Sequence, residues 1–353
     1  MIYWLWLNNI SGLGPILSKV LLEKYRTPAR IYKCTEEELL SLKGIGNKLA
    51  ESILSKRCLD EEKSQLYDLR KKKIKLLTYT DHRYPTHAKA YNKAPILLYY
   101  QGTIKPHTNS IAIIGNESYT PYSETVTIKA ALHLLKANFT LISGLSKGVE
   151  SLAHHQFSSN NGYQIAFVPH GLDVSYPVSN RRLIKQIIKN GVVISEHPLG
   201  TKPIKAFFLK KNALVASWSN QLLLVEARKK ANALSVIKTA KKLLKPIFVV
   251  PHELYKKHAE GSNEVLSDGG QLYLEAFQLT PDYVPEVSPM TKASSTTNSD
   301  ELKVIKALET SIKTIDELAF DLKLPLLKII ELMTILELES QVIQLPGTKY
   351  KLV

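Results

Sequence analysis

The sequence predicts an α/β protein whose central domain is a mostly parallel β-sheet with helices on both faces. Three observations support this prediction. Short, uninterrupted apolar runs alternate with helical patterns between residues 106 and 278. Such runs are typical of parallel strands buried on both faces. A glycine-rich turn joins one run to the next helix, as in Rossmann-like sheets. Finally, 353 residues leave room for small flanking domains.

Residues 1–105 predict a small helical domain followed by a connecting tail. The similar segments Ser11–Pro15 and Leu42–Lys48 each place Gly-apolar-Gly before a helical pattern. Glycine permits tight turns and leaves backbone N–H groups free to meet a phosphate. We therefore predict two helix-hairpin-helix units in a SAM-like domain, which either bind a ligand or only join helices. The proline- and glycine-containing stretch between Tyr84 and Gly102 predicts an irregular connection.

The central domain, residues 106–278, contains six apolar runs that predict strands. A helical pattern between Tyr122 and Ala137 separates the first two runs, and helical stretches separate most of the others. The predicted strands are residues 111–114, 139–142, 165–168, 191–194, 221–225 and 246–250.

Residues 279–300 predict a linker, because prolines and a Ser/Thr/Asn run offer no apolar core. Residues 301–353 then predict a winged helix. Thr314–Glu317 has the form of a capping box, and Pro325 suits the first turn of the next helix. The segment 341–353 predicts a terminal hairpin. The predicted helix that begins near Pro325 carries Lys328 together with Glu331, Glu337 and Glu339. Because its charge is mostly negative, this helix favours a protein contact over a DNA groove.

The chain is strongly basic: 47 Lys and Arg oppose 32 Asp and Glu, a net charge of +15. A field of this sign attracts polyanions, nucleic acid first among them. The two cysteines form no CxxC pair and suit reduced thiols, so a cytoplasmic location is expected. No apolar run approaches the ~20 residues that a membrane helix needs, and no basic leader precedes the short apolar N-terminus.

The loop Gly144–Gly148 lies between a predicted strand ending at Ser143 and a predicted helix. Backbone N–H groups at such a position can hold a phosphate, and Lys147 would add a charge. Gly115, after the first central strand, is a weaker second candidate.

The same loop also matches Gly-x-Ser-x-Gly, the nucleophile elbow of hydrolases. Ser146 would be the nucleophile, with Asp173 and either His197 or His252 completing a triad. No HGG-type oxyanion loop precedes it. The histidines show no metal-ligand spacing, so neither a metal nor a cofactor is expected.

A second candidate binding segment combines cations with aromatic residues. Single-stranded nucleic acid is bound by such surfaces, because bases stack on rings while cations hold the backbone. The alternative is that both phenylalanines are core residues and the lysines are merely solvated. The segment contains Lys202, Phe207, Phe208, Lys210, Lys211 and Asn212.

The chain contains a series of motifs that, in their order, resemble the DNA-processing protein A (DprA/Smf) family over nearly the whole chain. The resemblance is carried by Ala112–Gly115, Ser143-Gly144-x-x-x-Gly148 with Ala153-His154, Gly171–Asp173, Tyr176-Pro177-x-x-Asn180, Ser195-Glu196-x-Pro198-x-Gly200, Asn212, Val225–Ala227, Val249–Pro251 and Gly261–Asn263. It implies a Rossmann-like domain that binds single-stranded DNA without catalysis. It also implies homodimerisation through that domain and loading of RecA recombinase in natural transformation.

The candidate DNA-binding set is therefore Gly115, Ser143, Gly144, Lys147, Gly148, Asn180, Lys202, Phe207, Phe208, Lys210, Lys211 and Asn212. The sequence departs from the family pattern at several positions. Glu117 and Lys147 replace arginines, Glu150 replaces an aspartate, and Ala231–Ala233 replaces Ser-Gly-Ser. Lysine keeps the charge of arginine but loses its bidentate fork. A phosphoribohydrolase-like nucleotide enzyme and a degenerate protein-interaction module are the alternative functions.

Overall fold

The computed structural model describes residues 1–106, 109–281, 299–338, 341–345 and 349–352. The chain divides into two compact units, Met1–Val284 and Pro285–Val353. Most of the predicted linker, residues 282–298, lies outside the described residues. Within the described chain, no helix is both long and apolar enough to cross a membrane.

The first unit begins with six helices around their own apolar core, which includes Trp6 and Leu21. These are α1 Ile2–Asn8, α2 Pro15–Tyr25, α3 Pro28–Ile31, α4 Glu36–Leu40, α5 Asn47–Ser55 and α6 Asp60–Lys71. The two predicted glycine turns immediately precede α2 and α5. Gly12 and Gly44 have φ angles of 80° and 94°, which favour glycine. The structure thus confirms the predicted pair of helix-hairpin-helix turns.

A nine-stranded sheet follows, in the order β1-β2-β6-β5-β4-β3-β7-β8-β9. Its strands are β1 Lys75–Thr78, β2 Leu97–Gly102, β3 Ser110–Gly115, β4 Thr140–Gly144, β5 Gln164–Val168, β6 Val192–Ser195, β7 Gln221–Glu226, β8 Ile247–Val249 and β9 Gln271–Leu272. Strands β3 to β9 pair in parallel, whereas β1 and β2 are antiparallel to their neighbours. The mostly parallel central sheet is confirmed.

Helices cover both faces of this sheet. Alternating side chains of β3 show the division: Ile111 and Ile113 pack with Phe157 on one face, whereas Ile114 packs with Trp218 on the other. This alternation is the period-two geometry of a strand. The helices are α7 Pro121–Lys136, α8 Val149–Ser159, α9 Arg181–Asn190, α10 Lys205–Trp218, α11 Ala233–Lys242 and α12 Glu260–Ser267, with short 3₁₀ helices at Thr86–Ala90, Val178–Asn180 and Ala276–Leu279.

Two expectations about the edges of the central domain were wrong. The stretch between Tyr84 and Gly102 is not irregular throughout, because its last part forms β2 of the sheet. Its residues 97–100 form a buried apolar strand that pairs with β6, with Tyr99 opposite Ser195. At the other end, Leu279 and Thr280 are buried, so the packed structure extends past the predicted start of the linker.

The second unit is a winged helix, as predicted. It contains α13 Ser299–Thr310, β10 Lys313–Thr314, α14 Ile315–Leu322, α15 Leu326–Leu338, β11 Val342–Leu345 and β12 Lys349–Leu352. The Thr314 side chain and Glu317 form the predicted capping box at the start of α14. Residues Ile329, Met333 and Leu336 on α15 are buried in the core of this unit. Glu339 and the hairpin residues 346–348 and 353 lie outside the described residues.

Candidate nucleic-acid interface

The predicted binding residues converge at one edge of the sheet. Strands β3 to β7 are parallel, so the loops that follow them leave the same, carboxyl edge. The strand order reverses there, because β4 and β7 flank β3. Ligands of open α/β sheets bind at such a reversal. The five loops are residues 116–120, 145–148, 169–180, 196–204 and 227–232.

A cleft of about 340 Å³ opens at this reversal. It is lined by the turn after β3, the loop after β4, one side of α10 and the loop after β7. The lining residues are Gly115, Asn116, Glu117, Ser118, Ser146, Glu150, Phe208, Lys211, Asn212, Arg228, Lys230, Ala231, Asn232 and Ala233. The cleft therefore contains charges of both signs.

The glycine loop packs tightly against the turn after β3. Gly148 has a φ of 82°, and a Cβ at this position would overlap the Asn116 carbonyl oxygen. The N–H of Val149 donates to that same carbonyl, at 3.2 Å. A Cβ on Gly115 would in turn lie 2.7 Å from a methyl carbon of Val149. Gly115 and Gly148 thus permit the close approach of the two turns.

A buried ion pair lies beneath the glycine loop. Lys211 Nζ lies 3.4 Å from Glu150 Oε2, and the two side chains are only 3% and 5% exposed. Glu150 Oε2 also accepts a hydrogen bond from the Ser146 N–H at 2.9 Å. A Cβ on Gly144 would overlap both charged groups. The Glu150 carboxylate therefore accepts the Ser146 N–H, one of the loop donors that were predicted to hold a phosphate. Lys211 is buried and is not a surface cation.

Ser143 and Asn180, two further candidates, have buried side chains that position loops. Ser143 Oγ donates to the Ile113 carbonyl at 2.7 Å, which links β4 to β3. Asn180 Nδ2 donates to the Leu145 carbonyl at 2.9 Å, which ties the loop after β5 to the glycine loop. Neither side chain is exposed at the edge, as a direct DNA contact would require.

Asn212 is buried in a different way. Its Nδ2 donates to the Asn232 carbonyl and to Ser235 Oγ, at 3.0 and 2.7 Å. Its Oδ1, in contrast, is buried and has no hydrogen-bond partner among the described residues. Asn212 lines the cleft, and its buried side chain joins α10 to the loop after β7.

The two phenylalanines have different surroundings. Phe207 is half-buried and lies against the His197 ring, with centroids 3.9 Å apart. Burial of His197, together with the charges of Lys210 and His170, lowers the pKa of its imidazole to about 4, so this ring is neutral at pH 7. Phe208 lines the cleft and meets Tyr176 edge-on, with centroids 6.0 Å apart.

Tyr176 is 43% exposed and was not among the predicted site residues. In the sequence, the closeness of the Tyr176–Pro177 motif to Arg181 could have indicated Tyr176 as a site residue. Phe208 and Tyr176 therefore form an aromatic pair at the carboxyl edge of the sheet.

Exposed cations lie in the loops of the carboxyl edge. Lys147 and Lys202, two of the predicted binding residues, are both exposed. Arg228 and Lys230 are also exposed and line the cleft, although neither was among the predicted site residues. Glu117, also exposed, adds a negative charge to the same lining.

Lys210 is exposed but lies 3.2 Å from Glu196. Burial raises the pKa of Glu196, and the charge of Lys210 opposes this shift. The Lys210 charge is thus partly offset by its partner.

The alternative hydrolase triad is not assembled in the described chain. The hydrogen-bond partner of Ser146 Oγ is Lys211 Nζ, at 3.5 Å, and not a histidine. Asp173 accepts from the Gly200 N–H at 2.8 Å. His252 donates through Nε2 to the Val225 carbonyl. None of these contacts joins Ser146 to a histidine or to Asp173.

Comparison with known proteins agrees with this architecture. The family model described as DNA recombination-mediator protein A matches residues 75–283. A SAM-like helix-hairpin-helix tandem matches residues 7–56, and a DprA winged helix domain matches residues 288–348. Protein Smf of Synechocystis sp. is 30% identical over 282 residues, which cover 78% of this chain and 71% of the relative. DNA processing protein DprA of Streptococcus pneumoniae is 26% identical over 54% of this chain and 68% of its own.

Two solved structures are similar to the chain. The X-ray structure of DNA processing protein A from Streptococcus pneumoniae superposes with a TM-score of 0.70 at 22% identity, covering 80% of this chain and 98% of that one, and shows the fold. A Helicobacter pylori DNA processing protein A, whose structure describes a single-stranded DNA binding mode, has a TM-score of 0.55 at 31% identity, with coverage of 60% and 97%. The chain therefore belongs to the DNA recombination-mediator protein A family, with a role in DNA processing during recombination.

Proposed function

We propose that this chain binds single-stranded DNA across the carboxyl ends of β3 to β7, without catalysis, and loads RecA recombinase onto it. The observation that carries the proposal is a set of exposed cations in the loops of the carboxyl edge, beside an aromatic pair of which Phe208 lines the cleft. Lys147, Arg228 and Lys230 supply the cations, whereas Phe208 and Tyr176 supply the rings. The single-stranded DNA binding described for the Helicobacter pylori relative supports this assignment.

The chemistry of the edge suits an unpaired strand. Lysine and arginine side chains neutralise phosphates and release counterions, which supplies affinity without sequence preference. Aromatic rings stack only on bases that are not already stacked within a duplex, and each stacked base contributes about 1–3 kcal/mol.

Family membership supports our proposal on partner and location. We propose a homodimer formed through the central domain, acting in the cytoplasm, where the free thiols of Cys34 and Cys58 would stay reduced. Light scattering on the full chain tests the dimer. A RecA nucleation assay on a single strand coated with single-strand-binding protein tests loading. Faster RecA nucleation in the presence of the chain is expected, and an unchanged lag would contradict the loading role.

DNA binding is tested by fluorescence polarisation with a labelled single strand and with the matching duplex, over a series of salt concentrations. The wild type should prefer the single strand. Lys147→Glu should weaken binding and reduce the slope of log K against log salt by about 0.7 for each phosphate that is no longer neutralised. Lys189→Glu is the control, because Lys189 is exposed at the end of α9, towards the opposite edge of the sheet. Equal losses of affinity in both variants would place the DNA elsewhere.

A further inference from the structure

Three potential metal ligands meet beside the turn that ends β7. Glu226 is the last residue of β7, while His252 and His258 belong to the loop between β8 and α12. Each offers one ligand atom, and in the described structure these atoms all lie within 4.8 Å of one another. No metal was expected from the sequence, because the histidines show no metal-ligand spacing. The fold supplies the juxtaposition that the spacing does not reveal.

The carboxylate of Glu226 is held rigidly and retains a free coordination position. Its Oε2 accepts hydrogen bonds from the N–H and hydroxyl of Thr120 and from the Ser123 hydroxyl, at 3.2, 2.7 and 2.6 Å. Its Oε1 accepts only from Asn116 Nδ2, at 2.7 Å, among the described residues. A carboxylate oxygen has two lone pairs, so Oε1 keeps one for a cation.

The His252 ring is oriented as a metal ligand usually is. Its Nε2 donates to the Val225 carbonyl at 2.8 Å. This hydrogen bond leaves the lone pair of the neutral ring on Nδ1. Histidines that bind metals typically donate their second nitrogen to a backbone carbonyl in this way, which fixes both tautomer and ring orientation.

His258 is anchored through its backbone, while its ring remains available. Its carbonyl accepts from Asn116 Nδ2 at 2.8 Å. Within the described part of the chain, its ring nitrogens have no hydrogen-bond partner, and the ring lies edge-on to His252 with centroids 6.2 Å apart. The side chain is half-buried.

We propose that Glu226, His252 and His258 bind a divalent transition-metal ion of the zinc class. Two imidazoles and one carboxylate form the N₂O donor set that zinc and its first-row neighbours accept, with water completing the coordination. Bonds of about 2.0–2.1 Å place tetrahedral ligand atoms roughly 3.3 Å apart. Closure from the present separations, which are at most 4.8 Å, therefore requires only small movements.

The ion would fasten the loop between β8 and α12 to the end of β7. Asn116 contacts both the carboxylate of Glu226 and the backbone of His258, and it also lines the cleft. A bound ion would thus stabilise one wall of the cleft from behind. Binding to the native state alone raises the free energy of unfolding by RT ln(1 + [metal]/Kd).

The test uses the full chain without a histidine tag, stripped with chelator. Zn²⁺ is titrated calorimetrically, and Co²⁺ is titrated by its visible absorption, which reports coordination geometry. We expect one ion per chain, tetrahedral Co²⁺ bands and a rise in Tm on addition of Zn²⁺. His258→Ala should weaken Zn²⁺ binding by at least about tenfold. His82→Ala is the control, since the His82 side chain is 88% exposed and lies outside the cluster.

The Tm of His258→Ala in chelator shows whether the variant folds, and His258→Gln replaces it if it does not. Absence of saturable Zn²⁺ binding, or unchanged affinity in the folded His258 variant, would overturn the proposal. Because the readouts are metal affinity, spectrum and Tm, the outcome does not depend on whether the chain binds DNA.

Discussion

At the scale of single residues, Glu117 is the side chain that most opposes the proposed DNA contact. It is exposed, lines the cleft and carries a negative charge among cations. We predict that Glu117→Lys strengthens single-strand binding and steepens its salt dependence, by about 0.7 in slope for each additional phosphate that is neutralised. Polarisation titrations measure both quantities. Glu51→Lys makes the same charge change at an exposed position of α5, and an equal increase in affinity there would show only an effect of net charge.

The Glu150–Lys211 pair should be important for stability. Lys211→Met leaves Glu150 as an unpaired charge in a buried site, which typically costs about 3–5 kcal/mol. We predict that Glu150→Leu combined with Lys211→Met loses much less stability than Lys211→Met alone, because no charge is then left unpaired. Urea unfolding of the variants measures the difference. A double variant as unstable as the sum of its two single variants would contradict coupling between the residues.

This pair also shows what the sequence could not predict, namely which lysine of a basic run is buried. Lys210 and Lys211 look alike in a basic run, yet α10 directs one to solvent and buries the other beside Glu150. Adjacent helical residues point about 100° apart, so one basic run can serve two environments. The sequence could identify Lys147 as exposed, because a glycine loop surrounds it, but it could not identify the internal partner of Lys211.

At the scale of elements, the glycine loop after β4 is defined by contact with the turn after β3. We predict that Gly148→Ala destabilises the chain by roughly 1–3 kcal/mol, because alanine is strained at this φ and its Cβ overlaps the Asn116 carbonyl. Thermal unfolding measures the loss of stability. Gly200→Ala is the matched control, since Gly200 has a φ of 75° but open space around it. Equal losses in the two variants would mean that the packing against Asn116 contributes nothing.

The elements differed in how far the sequence could predict them. Strands β3 to β7 were predictable, because each is an apolar run buried on both faces. Strand β2 was missed because nearby prolines and Gly102 suggested an irregular segment, whereas its pairing with β6 joins residues that are distant in sequence. Strand β9 has only two residues, both exposed, and carries no apolar pattern.

At the scale of the whole molecule, the net charge of +15 is not sufficient to locate a binding surface. Parallel topology makes the carboxyl edge predictable, because all loops that follow β3 to β7 lie there. Which cations remain unpaired at that edge depends on tertiary contacts such as Lys210 with Glu196. The domain order was recognisable from its motifs, whereas the cluster of Glu226, His252 and His258 and the aromatic pair required the folded structure.

The winged helix provides a prediction at this scale. On α15, Lys328 lies 3.2 Å from Glu331, so its charge is partly offset. We predict that Lys328→Glu in the full chain leaves single-strand affinity unchanged within experimental error, whereas Lys147→Glu reduces it. Both are measured by polarisation at the same salt concentration. A loss of affinity in Lys328→Glu comparable to that in Lys147→Glu would make the winged helix a DNA-binding element.

The central claim is that single-stranded DNA lies across the carboxyl edge of the sheet. Photo-crosslinking of the full chain to an oligonucleotide containing 4-thiothymidine, followed by mass spectrometry of the peptides, tests it most directly. We predict crosslinks in the peptides containing Tyr176 and Phe208, which an excess of unlabelled single strand removes. Crosslinks confined to residues 1–74 or 299–352 would contradict the claim.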